Sequence, residues 1–534
     1  MERNVATIDP SKFAGVRSIT EVTLGTEPMK LEEFVAVTRY GARLSFSQGY
    51  EARVKASRAL VEKFLAEDRL IYGITTGFGD NVRTRIAPED AVQLQYNILR
   101  SHAVSVGDPM PEEGVRAIWL MQLLSLGQGV SGVRLETLSL IRDCLNAGVV
   151  PFAPRDGSVQ ALVIEAQINL VLIGENKAWY RGELLPGKEA LSRAGLAPTE
   201  ISCKEGLCLT NGANSVTALS ALALWDMMVA VQTADVAAAM TYEALKGNIL
   251  ACDERLHSLK AHEEQRDCAA NLRKLLEGSE ISRQAKGVSV QDPLVLRSVP
   301  QMHGGVKFYI KCAARSILEE MNSCTDNPVI WPERGQDGDG VALMGANFDG
   351  TYPCGASDML CIAAANLAKL LERRIDKMTN RHFSGYPAFL ATEPGVDNGY
   401  MIPQYTAAGL VNEIRGLALP STADSIPTSA SWEDPVSMGM WGSQKSWKVG
   451  KKLQYMVAIE LMTACRAIDL MPGGAASLAE LAPATKAVYD AVRELVPPVK
   501  EDRHFGPDIE HIRDLVEDCR VLHAAESHTG TLSL

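Results

Sequence analysis

Residues 216–245 read VTALSALALWDMMVAVQTADVAAAMTYEAL. The run is longer than the roughly 20 apolar residues that span a bilayer. It nevertheless carries Asp226, Gln232, Asp235 and Glu243 along its length. A helix apolar nearly all round, with a few acids and amides inside it, belongs to a protein interior and not to lipid. Residues 307–322, 356–380 and 454–471 share this character, being long, apolar and poor in Gly and Pro. Four such helices predict a mainly α chain built on a bundle of long central helices.

Outward from the bundle, residues 1–30 are polar and predict an irregular arm. Residues 31–215 predict an N-terminal domain. Apolar positions recur at helical spacing over 31–65, and GITTGFGD at 73–80 is a Gly/Thr-rich loop. Helices are expected at 93–99 and 117–126, a loop or short strand at 149–158, and half of a small hairpin at 180–185. Residues 216–480 form the expected bundle domain. Residues 481–534 predict a C-terminal tail with a loop and one last surface helix from Leu495 onward. No internal repeat stands out.

Of the 534 residues, 46% are apolar and only 6% aromatic, and the net charge is −12. An acidic chain without a Lys/Arg-rich run lacks the basic face that nucleic acid requires. The first residues contain no apolar secretory segment, so a cytoplasmic protein without membrane contact is expected. Eleven cysteines show neither a Cys-x-x-Cys pair nor metal-ligand spacing, which predicts reduced core thiols and no metal. Phosphate-cradling Gly loops and nucleophile elbows are absent. The acidic surface and apolar helices predict an oligomer.

Several segments are richer in Gly and polar residues than their surroundings. Tyr72 opens YGITTGFG, His102 lies in RSHAVSVG, and Asn211 begins NGAN just before the most apolar helix. Gln291 and Arg297 bracket QDPLVLR, Asn347 and Phe348 sit in GANFDG, and Glu433 lies in SWEDPVSM. Taken singly, each is as readily a turn, a helix cap or a surface ion pair as a functional group.

Their order and wording together resemble the aromatic amino-acid ammonia-lyases and aminomutases, and within them the histidine ammonia-lyases. The matching stretches are YGITTGFGD, LQYNILRSHAVSVG, KEGLCLTNGAN, VQDPLVLRSVPQ, GANFDG and SIPTSASWEDPVSMG, spread from about Leu31 to the end. The resemblance implies a mainly helical homotetramer whose active sites are shared between chains. It implies that Tyr72 is the base taking the β-proton, that Arg297 grips the substrate carboxylate, and that Asn211 contacts the amino acid. Gln291, Asn347 and Phe348 also match active-site positions. His102 and Glu433 fall on ring-contacting positions and lean toward an imidazole substrate.

One departure outweighs these agreements. The family makes an electrophilic methylidene-imidazolone from Ala-Ser-Gly within GSVGASGDLAPLAH. Here the stretch reads GSVQALVIEAQINL over 157–170, about three residues shorter and without Ala-Ser-Gly. Leu294 and Val295 also replace a Tyr and Ser, and that Tyr assists the electrophile. The predicted cofactor set is therefore empty, with no methylidene-imidazolone and no cofactor-binding residue.

Glu165, the one acid in the replaced stretch, is a candidate for protonating the leaving amine, against a structural salt bridge. Lyase barriers fall by about 8–23 kcal/mol in typical enzymes, and positioning alone supplies about 7–11 kcal/mol at best. A nitrogen that already leaves easily, such as that of an N-methylated histidine, needs the electrophile least. The expected function is non-oxidative deamination of L-histidine to urocanate and ammonia, or of a close relative. The alternative is a catalytically silent amino-acid-binding or scaffold homologue. A diffusible pyridoxal phosphate would need Lys204 or Lys307 as Schiff-base former.

Overall fold

The computed structural model describes Phe13, residues 15–332 and residues 340–534. The long helices predicted from all-round apolarity are present as Asn214–Ala244, Val299–Met321, Thr351–Thr379 and Gly439–Asp469. Every residue of Asn214–Ala244 is buried, so this helix is the axis on which the others pack. Two of its acids survive there against cations, while Glu243 accepts the Ala482 N–H at 2.8 Å and burial raises its carboxyl. Arg39 grips both oxygens of Asp226 at 2.6 and 2.9 Å. Lys307 and His303 meet Asp235 at 2.7 and 2.8 Å, and Arg374 pairs with Glu460 of Gly439–Asp469 at 2.6 Å. Buried charges persist only when paired and hydrogen-bonded in this way. Two helical runs, Glu205–Ala244 and Thr351–Thr379, are long and apolar enough to cross a membrane, and the first is wholly enclosed by the chain itself.

Three expectations are corrected. Residues 1–12 and 14 of the expected arm lie outside the described residues, but part of the remainder is regular. Glu21–Leu24 pairs in parallel with Arg43–Phe46, because Val22 and Leu24 alternate inward. The helical spacing over 31–65 is likewise broken. Helix Leu31–Tyr40 stops at Gly41, held at φ 72° as a left-handed cap. Helix Gln48–Ala66 restarts after Ser47, whose hydroxyl accepts from the Tyr50 N–H at 3.1 Å. The single last helix becomes two, Gly506–Glu517 and Arg520–Thr529, after Pro483–Leu495. The segment beyond them turns inward: Leu532 and Leu534 are buried, and the Ser533 carbonyl accepts from Lys307 Nζ at 2.8 Å.

The hairpin anticipated at 180–185 is Lys177–Tyr180 paired with Glu183–Pro186, with Val150–Pro151 as a third strand. A shared apolar core runs through the bundle and the N-terminal helices.

Candidate active site

The Tyr72 loop folds on itself through threonines. Thr75 Oγ1 accepts from the Ile71 N–H at 2.8 Å and Thr76 Oγ1 from the Gly73 N–H at 3.2 Å. Gly73 has φ +66°, and a Cβ there would come within 2.6 Å of Leu207 and 2.8 Å of Phe78, so only glycine fits. Gln95, on helix Ala91–His102, donates to the Gly73 carbonyl and accepts from the Leu207 N–H, each at 3.1 Å. That one amide joins the Tyr loop to helix Glu205–Thr210, which ends at Asn211. The half-buried Tyr72 accepts the Gly79 N–H at its hydroxyl oxygen (3.0 Å), which fixes its direction.

The Glu433 loop reaches the same end of the bundle. Ser429, Ala430 and Ser431 all lie at positive φ (52°, 55° and 65°), a tight left-handed turn closed by the Thr428–Glu433 backbone pair. Such residues cost roughly 1–2 kcal/mol each, so the turn persists only because its surroundings hold it. Trp432 supplies one tether, donating its indole N–H to Asp80 of the Tyr loop at 2.7 Å. Glu433 is half-buried, and burial pushes its carboxyl above the usual carboxylate range. His102 closes helix Ala91–His102, where burial lowers the imidazole, favouring its neutral form.

The altered segment lies between these loops. The backbone N–H of Leu162 donates to the Thr210 carbonyl at 3.0 Å. Gln160 Oε1 accepts from Ser437 Oγ at 2.6 Å and from the Gly350 N–H at 3.3 Å, binding three loops to one amide. Glu165 is fully buried and accepts from the Ser215 N–H at 3.0 Å, at the start of helix Asn214–Ala244. It forms no salt bridge among the described residues. Its second oxygen has no partner, and burial pushes the carboxyl up to about 7. Asn347 is exposed and Phe348 half-buried. Their loop is tied in through Gly350 and through Gly345, whose N–H donates to Asn327 Oδ1 at 2.9 Å.

Gln291 and Arg297 lie elsewhere. The Leu296 carbonyl accepts from Tyr242 at 2.8 Å, near the far end of helix Asn214–Ala244. From Ser215 to Tyr242 a helix rising about 1.5 Å per residue covers roughly 40 Å. One chain therefore gathers Tyr72, Asn211, Glu165 and Glu433 at one end of the bundle and holds Arg297 at the other. Among the described residues Arg297 makes only a local bond there, to the Asp292 carbonyl at 3.0 Å.

Both lysines considered as Schiff-base formers are unsuited. Lys204 is fully buried against Asp326 at 2.6 Å and Lys307 against Asp235 at 2.7 Å. These carboxylates raise both ammonium groups above their ordinary values, opposite to the shift that frees an amine. Asp235, Cys268 and His303 converge as metal donors would, but Lys307 already holds Asp235 Oδ2, His303 Nδ1 meets its Oδ1, and Arg374 faces the other ring nitrogen. The sequence alone gave no sign of the Trp432–Asp80 tether, the Gln160 hub or the Lys204–Asp326 pair. Proximity to the YGITTGFGD, GSV and KEG motifs was the only available signal.

A helical bundle whose loops converge a phenol, an amide and a carboxyl at one end defines a lyase-type scaffold. The chain belongs to the aromatic amino acid lyase family, whose model matches residues 29–494. It is 42% identical to histidine ammonia-lyase of Symbiobacterium thermophilum, over 96% of this chain and 99% of that one. The structure of histidine ammonia-lyase from Trypanosoma cruzi superposes with a TM-score of 0.85 at 33% identity, covering 94% and 95% of the two chains. Ergothionase from Treponema denticola, an ergothioneine-degrading enzyme, superposes with a TM-score of 0.84 at 28% identity, covering 94% and 99%. The family normally uses a protein-derived methylidene-imidazolone.

Proposed function

We propose that this protein eliminates the α-nitrogen of L-histidine, or of a close relative such as an N-methylated histidine, without a protein-derived electrophile. One observation carries the reading. The Tyr72, Asn211 and Glu433 loops converge around segment 157–165, and that segment holds no Ala-Ser-Gly to cyclise. Gln160 fills the segment with bonds to Ser437 and Gly350, so these residues do not fit the ring.

In the reaction, Tyr72 is the base that takes the β-proton. The β-carbon–hydrogen pair becomes the Cα=Cβ bond, and the Cα–N pair leaves with nitrogen. The products are urocanate and ammonia, or urocanate and an amine from an N-methylated substrate. Glu165 is the acid for a primary amine: with its carboxyl near 7 it still carries protons at neutral pH. His102 and Glu433 receive the imidazole, the carboxylate of Glu433 by a charge-assisted bond. The likeness to an ergothioneine-degrading enzyme from Treponema supports a substrate other than histidine itself.

Arg297 would grip the substrate carboxylate from a second chain, with Gln291 beside it. The roughly 40 Å of helix separating the Asn211 end of the bundle from the Arg297 end supports a homo-oligomer, read as a tetramer, with shared sites. Asn347 and Phe348 would line the same site. Eleven free thiols support a reducing, cytoplasmic setting.

The test is incubation with histidine, its trimethyl betaine, tyrosine and phenylalanine, following ultraviolet absorbance of the conjugated acid and the released amine. Turnover on an imidazole substrate supports elimination. Binding without product on all four moves the protein to a silent amino-acid-binding homologue, detectable as ligand-dependent thermal stabilisation.

A further inference from the structure

The Asn211 amide is held from behind by a buried ion pair. Lys204, at φ +68° just before helix Glu205–Thr210, sends Nζ to Asp326 Oδ2 at 2.6 Å, with side-chain exposures of 0% and 1%. Nζ also contacts Cys208 Sγ at 3.2 Å, whose thiol burial keeps protonated and turned to the Ser131 carbonyl at 3.4 Å. The other oxygen of Asp326 accepts from Asn211 Nδ2 at 3.3 Å, and the Asn327 carbonyl accepts from the same nitrogen at 3.0 Å. A carboxylate and a carbonyl only accept, so the amide edge facing them is the NH2. Both amide hydrogens are thereby used, and among the described residues nothing donates to Asn211 Oδ1.

We propose that Lys204 and Asp326 are positioning residues that present the Asn211 amide oxygen to the cationic nitrogen on the substrate Cα, and not to its carboxylate. The identity of the ligand rests on the elimination reading above; the end of the amide it meets rests on geometry. An amide oxygen accepts N–H and attracts a cation, whereas it repels carboxylate oxygens. The carboxylate is thus left to Arg297 of another chain. As the Cα–N bond breaks, its electron pair goes to nitrogen and the positive charge there fades. The contact is therefore stronger in the bound substrate than in the transition state, and its loss should raise KM without lowering kcat.

Calorimetric binding of L-histidine, its trimethyl betaine and imidazole-propionate, which has no α-nitrogen, tests this in the full chain. Asp326→Asn puts a donor behind Asn211 and lets the amide turn. It should weaken the nitrogen-bearing ligands about tenfold, as expected for a lost bond to a charged group, and leave imidazole-propionate within about threefold. Weakening of both nitrogen ligands identifies the charge as what is read; weakening of histidine alone identifies the N–H bond. Equal weakening of all three, or selective loss of imidazole-propionate, overturns the assignment. So does a wild-type protein that binds none of them or binds imidazole-propionate as tightly as histidine. Should Asp326→Asn not fold, Asn211→Ala leaves the ion pair intact and must show the same ligand selectivity. Absent turnover with this selectivity intact would sink the elimination reading and leave the positioning one standing.

Discussion

Trp432 donates its indole N–H to Asp80 at 2.7 Å and so joins two loops 352 residues apart in sequence. Glu433 follows Trp432 directly, and Asp80 follows Gly79, whose N–H holds the Tyr72 hydroxyl. The bond therefore fixes the spacing between Tyr72, the proposed base, and Glu433, the carboxyl proposed to meet the ring. Trp432 is half exposed, so the bond contributes only about 1 kcal/mol to stability, while small misplacements in a site are costly in rate. Trp432→Phe should lower kcat/KM about tenfold with little change in Tm, and Asp80→Asn, which keeps an acceptor oxygen, should stay near wild type. Steady-state kinetics on the imidazole substrate decide it; a fully active Trp432→Phe would rule out the tether as a positioning device.

Tyr72→Phe removes the proposed base and keeps the aromatic ring of the side chain. Turnover should vanish while ligand-induced thermal stabilisation remains. Borohydride, which reduces an electrophilic ring, should leave wild-type turnover intact; inactivation would reveal an electrophile and refute the electrophile-free reading.

Glu165 makes stability pH-dependent. Its folded carboxyl stands at about 7, above the unfolded value of 4.5. Below the unfolded value both states are protonated. As pH rises between the two values the unfolded state loses its proton first, so folding weakens, by about 3 kcal/mol once both have titrated. Glu165→Gln keeps an oxygen for the Ser215 N–H and never charges. Its Tm should match wild type near pH 4.5 and exceed it near pH 8, by scanning calorimetry; a constant difference across that window would contradict the assigned environment.

Arg297 and Tyr72 lie at opposite ends of one chain. Tyr72→Phe and Arg297→Ala should each be inactive alone. Unfolding, mixing and refolding the two together should restore part of the activity, because some mixed sites then draw both residues from intact chains. No recovery, with mixed oligomers verified by mass, would argue against sites shared between chains.

The ion network inside the bundle is sensitive to removal of one partner. Lys307 neutralises Asp235 at 2.7 Å, and both are fully buried. Lys307→Met should cost about 3–5 kcal/mol, since it strands a buried carboxylate. Denaturant midpoints measure this, and a loss below about 1 kcal/mol would mean that water reaches the site.

The amino-acid order by itself determined the long helices, because all-round apolarity over 216–245 has no other stable home than a protein interior. It also determined the chemistry on offer, since Tyr72, Asn211, Arg297 and Glu433 stand in recognisable motifs and Ala-Ser-Gly is missing from 157–170. Short elements escaped it: four residues at 21–24 alternate too briefly to reveal a strand, and the helical spacing at 31–65 concealed the left-handed stop at Gly41. Tertiary structure alone decided which residues meet. The pairing of Trp432 with Asp80, the distance of Arg297 from Asn211, the isolation of Glu165 and the end of the Asn211 amide left facing outward are all non-local. Each follows from burial and hydrogen-bond satisfaction between segments far apart in the chain, which residue periodicity does not encode.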